Sequence, residues 1–139
     1  TKQNLSEIFS TKEKVRVLKK KYNSLNHLIE KTNFNKNHPE MNNIKVTNLN
    51  NNIAHFFDDV KNEYIATTKD KLIADLIINR MYDIEEFKGD ENVTSKLSER
   101  EEEIISDMID KFYNDEDEFI KVKKEDIKFL LYNNSKNNM

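Results

Sequence analysis

Apolar and polar side chains alternate over residues 43–47, where Ile44 and Val46 are apolar and their neighbours are polar. A period of two predicts a short β-strand with one buried face. The asparagine cluster at 50–52 then predicts a helix start, and the apolar period changes to 3.6. The apolar face of this predicted helix carries Ile53, Phe56, Phe57, Val60 and Tyr64. The pattern therefore predicts a strand followed by a helix.

A second helix is predicted after the pair Thr67 and Thr68. Thr67 and Asp70 have the spacing of a capping box, in which a threonine hydroxyl and an acidic side chain satisfy backbone N–H groups reciprocally. Gly89 marks the clearest boundary in the chain, so the helix is expected to end before it. Its inward face is predicted to carry Leu72, Ile73, Leu76, Ile77, Met81 and Ile84.

The order strand, helix, threonine-capped turn, helix resembles the ribbon-helix-helix family of DNA-binding proteins, which includes plasmid repressors and partition or relaxosome accessory factors. The resemblance covers the central third of the chain. It implies a homodimer whose two strands form an antiparallel ribbon in the major groove of double-stranded DNA. The implied base contacts are Asn43, Lys45 and Thr47, and the implied phosphate contacts at the second helix are Thr67, Thr68 and Lys69. The alternative interpretation is that residues 43–49 form a polar loop between bundle helices.

The N-terminal region is predicted to be helical and basic. Leu5, Ile8 and Phe9 form a short apolar patch, and Ser10 with Glu13 has capping-box spacing. A heptad-like seam follows, which fits either one helix of a bundle or a short dimer arm. Its residues are Val15, Leu18, Tyr22, Leu25 and Ile29. The basic residues beside it, predicted either to contact phosphates or to form a solvated face, are Arg16, Lys19, Lys20 and Lys21.

The C-terminal region is predicted to contain two further helices. Ser98 and Glu101 repeat the capping-box spacing, and the helix they start has an apolar face of Ile104, Ile105, Met108, Ile109 and Phe112. Residues 114–118 are predicted to form an acidic loop and residues 119–122 a short strand or connector. A last helix from about Lys124 would bury Ile127, Leu130 and Leu131. Residues 93–133 also repeat the strand-helix-helix order weakly.

The predicted fold class is mainly α, a bundle of about five helices with one short strand for a ribbon-helix-helix dimer. Three segments are expected: a basic helical arm over 1–40, the ribbon-helix-helix segment over 41–88 and an acidic helical segment over 89–139. All three can also belong to one domain. A single glycine and a single proline in 139 residues disfavour an all-β fold.

Composition excludes several kinds of chemistry. The chain has no cysteine, so thiol catalysis and thiolate metal sites are excluded. The histidines His27, His38 and His55 lack the spacing of a metal site, and the adjacent Asp58 and Asp59 diverge on a helix. We therefore expect neither an enzyme nor a metal or cofactor. No apolar run approaches the roughly 20 residues of a membrane span, so a cytoplasmic protein without membrane contact is expected.

Charge is distributed unevenly along the chain. The net charge is −3, but residues 1–45 hold ten Lys or Arg against four acids, whereas residues 83–120 hold four against fifteen. A basic end can meet nucleic acid, and equally the two ends can pack on each other. The leading hypothesis is a sequence-specific, homodimeric DNA-binding protein, such as a regulator from a plasmid or mobile element. The alternative is an adaptor or inhibitor that binds another protein through the acidic 83–120 region and does not bind DNA.

Overall fold

The computed structural model describes residues 5–34 and 43–137, which form seven α-helices, one 3-10 turn and one three-stranded antiparallel sheet. The mainly helical prediction is confirmed, whereas the sheet was not expected. The helices are α1 (Leu5–Ile8), α2 (Thr11–Leu18), α3 (Ser24–Asn33), α4 (Lys69–Lys88), α5 (Glu91–Thr94), α6 (Glu99–Asn114) and α7 (Glu116–Asn137). The strands are β1 (Ile44–Lys45), β2 (Ile53–Asp58) and β3 (Glu63–Thr68), in the order β1-β2-β3.

Helix α4 lies at the centre of the molecule and contacts the other six helices as well as β2 and β3. Its inward residues are almost fully buried, as the 3.6 period predicts: Ile73, Ile77, Met81, Ile84 and Phe87. The helix starts one residue later than predicted, because Thr68 and not Thr67 is its N-cap and accepts a hydrogen bond from the Lys71 N–H at 3.2 Å. Gly89 caps its C-terminus at the predicted boundary.

The N-terminal seam is divided between two helices. The Ser10–Glu13 capping box starts α2 as predicted. A 3-10 turn over Lys21–Asn23 follows, and Lys21 has a positive φ of 59°. This break leaves Tyr22 exposed, while the rest of the seam is buried in the chain's own core: Val15, Leu18, Leu25 and Ile29. The seam therefore packs as bundle helices do.

Residues 53–68 form a β-hairpin, so the helix predicted from Ile53 to Tyr64 is wrong. The turn after β2 is built by Asp58, whose carboxylate accepts hydrogen bonds from the N–H groups of Val60 and Lys61. Asn62 completes it with φ of 54°, a left-handed conformation that asparagine tolerates better than most residues. The central segment thus runs strand, hairpin, helix, and it lacks the first helix of the strand-helix-helix order.

The C-terminal helices differ from prediction in their boundaries. The Ser98–Glu101 capping box starts α6 as expected. Helix α7, however, begins at Glu116 and runs through both the predicted acidic loop and the predicted connector. Residues 93–97 also contain the end of α5 and no strand, so the second strand-helix-helix pattern is wrong. None of the helices in the described part of the chain has the length and apolar character of a membrane span.

One apolar core joins the three predicted segments. It includes Leu18 and Ile29 from the N-terminal segment, Ile77 from the middle and Ile105 and Leu131 from the C-terminal segment. Because burial of apolar area is the main favourable term in folding, these segments stabilise one another. The sheet lies at the side of this core, with β1 against α7 and β2 against α4.

Candidate functional surface on the sheet

Side chains of the sheet alternate between the core and solvent. Strand pairing places Ile44 opposite Phe56 and Phe56 opposite Ile65, and these three residues face the core. The residues between them point the other way. We call this outward side the open sheet face; it consists of Lys45, Ile53, His55, Phe57, Tyr64, Ala66 and Thr68.

The open sheet face is apolar and aromatic although it is exposed. Ile53 keeps 48% and Tyr64 39% of its surface in solvent, and Phe57 is only half-buried. The Phe57 and Tyr64 rings meet edge to face with centroids 5.3 Å apart. The Lys45 ammonium lies 4.2 Å from the centroid of the Tyr64 ring, a cation–π contact. An aromatic pair beside a lysine can stack on a planar group and bind an anion attached to it.

Of the three predicted base contacts, only Lys45 belongs to this aromatic group. Asn43 precedes β1, and its side-chain oxygen accepts a hydrogen bond from the Asn33 amide at 2.9 Å. Thr47 is exposed beyond the end of the strand. On the far side of β1, the Val46 N–H donates to the Ser135 hydroxyl at 3.0 Å. Strand β1 therefore pairs with β2 of its own chain and has α7 on its other side.

Two of the predicted phosphate contacts at the start of α4, Thr68 and Lys69, make hydrogen bonds within the chain. Lys69 is buried, and its ammonium donates to the backbone carbonyl of Asn48. Burial, followed by the charge of Lys128, lowers the pKa of Lys69. Thr67 points inward and Thr68 caps the helix. The Lys69 ammonium is thus directed into the protein and not towards solvent, and the phosphate contact at Lys69 stays a prediction.

Three cations lie near His27: Arg16 on α2, Lys20 between α2 and α3, and Lys31 on α3. Burial lowers the pKa of His27, and the charges of Lys20, Lys31 and Arg16 lower that pKa further. We call these four residues the basic cluster. Arg16, Lys20 and Lys31 are exposed, so their charges face solvent. Two of the predicted phosphate-contact residues, Arg16 and Lys20, thus come together with a lysine that the sequence did not single out.

The other two members of the predicted basic run lie elsewhere. Lys19 forms a 3.3 Å ion pair with Glu101 at the start of α6, and Lys21 lies exposed in the 3-10 turn. Next to it, the Tyr22 hydroxyl donates to Asp107 at 2.7 Å, which raises the pKa of Tyr22 and lowers that of Asp107. The basic and acidic parts of the chain therefore pack on each other, one of the two arrangements that the charge asymmetry allows.

The acidic region presents a shallow groove between α4 and α6. Its volume is about 230 Å³, and it is lined by Glu85, Lys88, Gly89, Ser106, Ile109 and Asp110. We call it the acidic groove. The Tyr113 hydroxyl donates to Glu85, and this bond raises the pKa of Tyr113 to about 12. Within the described residues, no three His, Asp or Glu side chains are grouped as a metal site would require.

Sequence reasoning missed the open sheet face because it assigned Ile53, Phe57 and Tyr64 to a helix. One pattern in the sequence does predict the hairpin that carries this face. Residues 58–62, DDVKN, carry aspartate and asparagine between two runs rich in aromatic and β-branched residues, a pattern typical of a hairpin. Comparison of the chain with protein-family models, curated proteins and solved structures gave no match.

Proposed function

We propose that this protein binds single-stranded nucleic acid, with bases stacked on the open sheet face. The observation that carries the proposal is the group of Tyr64, Phe57 and Lys45 on an antiparallel sheet, in which Tyr64 and Lys45 are exposed and Phe57 is half-buried. Stacking of a base on an aromatic side chain contributes about 1–3 kcal/mol and tolerates any base. Ile53 extends the apolar surface beside the two rings.

Lys45 supplies a cation where the first phosphate would lie. Its contact with the Tyr64 ring at an exposed site is worth about 0.5–1 kcal/mol. A hydrogen bond to a charged group is worth about 1.5–3 kcal/mol. A phosphate is therefore expected to draw the ammonium away from the ring and leave the ring open to a base.

The basic cluster extends this surface with further phosphate contacts. Helix α3 carries Lys31 and ends at Asn33, whose side chain is hydrogen-bonded to Asn43 at the start of β1. A strand leaving the open sheet face along α3 would meet Lys31, then Lys20 and Arg16. For single strands, each phosphate contact adds about −0.7 to the slope of log K against log salt, so these three side chains contribute about −2.

Exposed rings favour an unpaired strand over the double-stranded DNA expected from the sequence. Bases in a duplex are stacked on one another, and only their edges are accessible in the grooves. Aromatic side chains stack on bases that are unpaired and splayed out. In this proposal Lys45 keeps a nucleic-acid contact, whereas base contacts from Asn43 and Thr47 are not needed.

Fluorescence anisotropy with a labelled single strand of about 12 nucleotides, and with the corresponding duplex, tests the proposal. We expect the single strand to bind more tightly than the duplex and to lose affinity steeply with salt. Lys45→Ala should weaken single-strand binding, whereas Lys121→Ala, a change of an exposed lysine on α7, should not. Absence of binding at low salt, or equal losses for both variants, would overturn the proposal.

The acidic groove supports a second candidate function, the binding of a basic protein segment. Tyr82 and Tyr113 keep 52% and 50% of their surfaces exposed near Glu85, and aromatic rings beside carboxylates attract Lys and Arg side chains. A lysine-rich peptide provides the probe. Its binding should be lost in Glu85→Lys and retained in Glu125→Lys, the matched charge reversal on α7; equal binding by both variants would rule this candidate out.

A further inference from the structure

The outer edge of β3 carries backbone groups that pair with no element in the described part of the chain. The Lys69 N–H donates to the Asn52 carbonyl at 3.2 Å, so these two residues form a hydrogen-bonded pair. This pair determines which residues of the hairpin bond to the neighbouring strand and which face the other way. Because bonded and non-bonded pairs alternate in an antiparallel ladder, Ile65 and Thr67 exchange hydrogen bonds with β2. The N–H and C=O groups of Tyr64 and Ala66 and the N–H of Thr68 therefore point away from the sheet, whereas the C=O of Thr68, the N-cap, accepts the first hydrogen bond of α4.

This edge lacks the features that usually protect an edge strand. Natural edges are guarded by lysine, proline, a bulge or a covering element. Between Tyr64 and Thr68 the sequence holds neither lysine nor proline, and the pairing with β2 is continuous, without a bulge. Tyr64, Ala66 and Thr68 are all exposed, so nothing in residues 5–34 or 43–137 covers the edge.

We propose that a second copy of this chain pairs its β3 antiparallel with this edge, with the two-fold axis at Ala66. In this register Ala66 lies opposite the partner subunit's Ala66, and Tyr64 lies opposite the partner subunit's Thr68. The two chains exchange backbone hydrogen bonds at Ala66, and the Thr68 N–H of each chain donates to the C=O of the partner subunit's Tyr64. The result is a continuous six-stranded sheet.

The charges at the ends of β3 favour antiparallel over parallel pairing of the two copies. Glu63 stands at one end of β3, and the exposed Asp70 and Lys71, whose charges cancel, stand just beyond the other end. Parallel pairing would place Glu63 beside the partner subunit's Glu63, whereas antiparallel pairing places it beside two opposite charges that cancel. The paired residues at the centre are uncharged, so no repulsion opposes the contact.

The pairing also joins the two open sheet faces. Tyr64 and Ala66 lie on that face, so the two copies contribute their aromatic pairs to one side of a single sheet. This dimer differs from the predicted ribbon, in which the strand at 43–47 would pair with its copy. It does not depend on nucleic-acid binding: a dimer that binds no nucleic acid would overturn only the proposed function, and a monomer that binds it would overturn only this proposal.

The proposal is tested by light scattering at about 100 µM on three proteins: the full chain, one charge variant and its control. We expect twice the 16.6 kDa mass of one chain. Ala66→Lys places two cations opposite each other at the axis and should give the monomer mass. Val60→Lys adds the same charge in the hairpin turn, where Val60 is 94% exposed, and should remain dimeric. A monomeric parent chain, or a dimeric Ala66→Lys variant, would overturn the proposal.

If Ala66→Lys does not fold, hydrogen exchange of the unaltered chain tests the pairing of the two β3 strands instead. In the dimer, the amides of Ala66 and Thr68 should exchange slowly at high protein concentration and faster on dilution. The amides of Ile65 and Thr67 bond to β2 in either state and serve as internal controls. Fast exchange at Ala66 and Thr68 at about 100 µM would contradict the pairing.

Discussion

The sheet and helix α4 are neighbours in the chain, yet they distribute their apolar residues differently. In α4, Ile77 and Ile84 are fully buried and Met81 is 1% exposed, so one face takes the apolar side chains. In the hairpin, apolar residues occupy both faces: Phe56 lies on the side of the buried Ala54, and Phe57 on the side of the exposed Tyr64. Periodicity identifies a helix well where burial is one-sided, and it fails where a second apolar face exists.

The failed prediction and the candidate surface have the same origin. Ile53, Phe57 and Tyr64 lie on the open sheet face, and together with Phe56 and Val60 they reproduce the spacing of a helical stripe. A sheet with one solvent face would normally carry polar residues there. Folding therefore does not explain why Ile53, Phe57 and Tyr64 are apolar, and we assign their apolar character to binding.

The largest expected effect is the loss of stability when a buried side chain of α4 is shortened. The comparison is a shortened side chain on the sheet. Ile77→Ala removes a fully buried side chain and should lower the free energy of unfolding by about 2–5 kcal/mol. Phe57→Ala should cost less than half as much, because its side chain is only partly buried at the sheet surface and leaves no closed cavity. Urea denaturation of both variants measures the difference, and equal losses would mean that Phe57 belongs to the core.

The next largest loss of stability is expected from a change of Lys69, whose side chain connects the sheet region to α4. Its buried ammonium ties the Asn48 carbonyl, in the segment before β2, to the start of α4. Lys69→Ala should cost about 1.5–3 kcal/mol, the range for hydrogen bonds to charged groups. Lys71→Ala, two residues later and exposed, should change the free energy of unfolding by less than about 0.5 kcal/mol. A loss of nucleic-acid affinity without a loss of stability in Lys69→Ala would instead support the phosphate contact implied by the sequence.

A smaller effect is expected at the start of α6. The Ser98 hydroxyl accepts the Glu101 N–H at 3.1 Å, so Ser98→Ala should destabilise the protein by about 1 kcal/mol. Ser106→Ala removes a hydroxyl from within the same helix, where alanine has the better helix propensity, and should be neutral or slightly stabilising. Thermal unfolding of the two variants provides the test. Similar losses in both would show that the capping bond contributes nothing specific.

The smallest predicted effect concerns the protonation of His27. Because its pKa in the folded chain lies below the ordinary 6.5, the unfolded chain binds the proton first as the pH falls. The contribution of His27 to stability is therefore fully present above about pH 6.5 and is lost below it. An NMR titration should show a midpoint below 6.5 that rises in Lys20→Ala. Lys12→Ala, outside the basic cluster, should leave the midpoint unchanged, and an identical response to both changes would contradict the cluster.

Features set by local chemistry were predictable from the sequence. The Ser10–Glu13 and Ser98–Glu101 caps and the stop at Gly89 lie where the sequence places them, since each depends on residues within one helical turn. The burial of Lys69 was not predictable, because it depends on how the chain before β2 returns to the start of α4. Pairing between β1 and β2 is similarly non-local, and the apolar pattern over 53–64 fits a helix as well as a strand.

The central claim is that the open sheet face, and not exposed aromatic surface in general, binds unpaired bases. The most direct measurement is the affinity of Tyr64→Ala and Tyr82→Ala for the same labelled single strand. Tyr82 is the control, since it is exposed on α4 at 52%, compared with 39% for Tyr64. We expect Tyr64→Ala to weaken binding roughly 5- to 150-fold, the equivalent of one stacked base, and Tyr82→Ala to leave it unchanged. Equal affinities for the two variants would contradict the account.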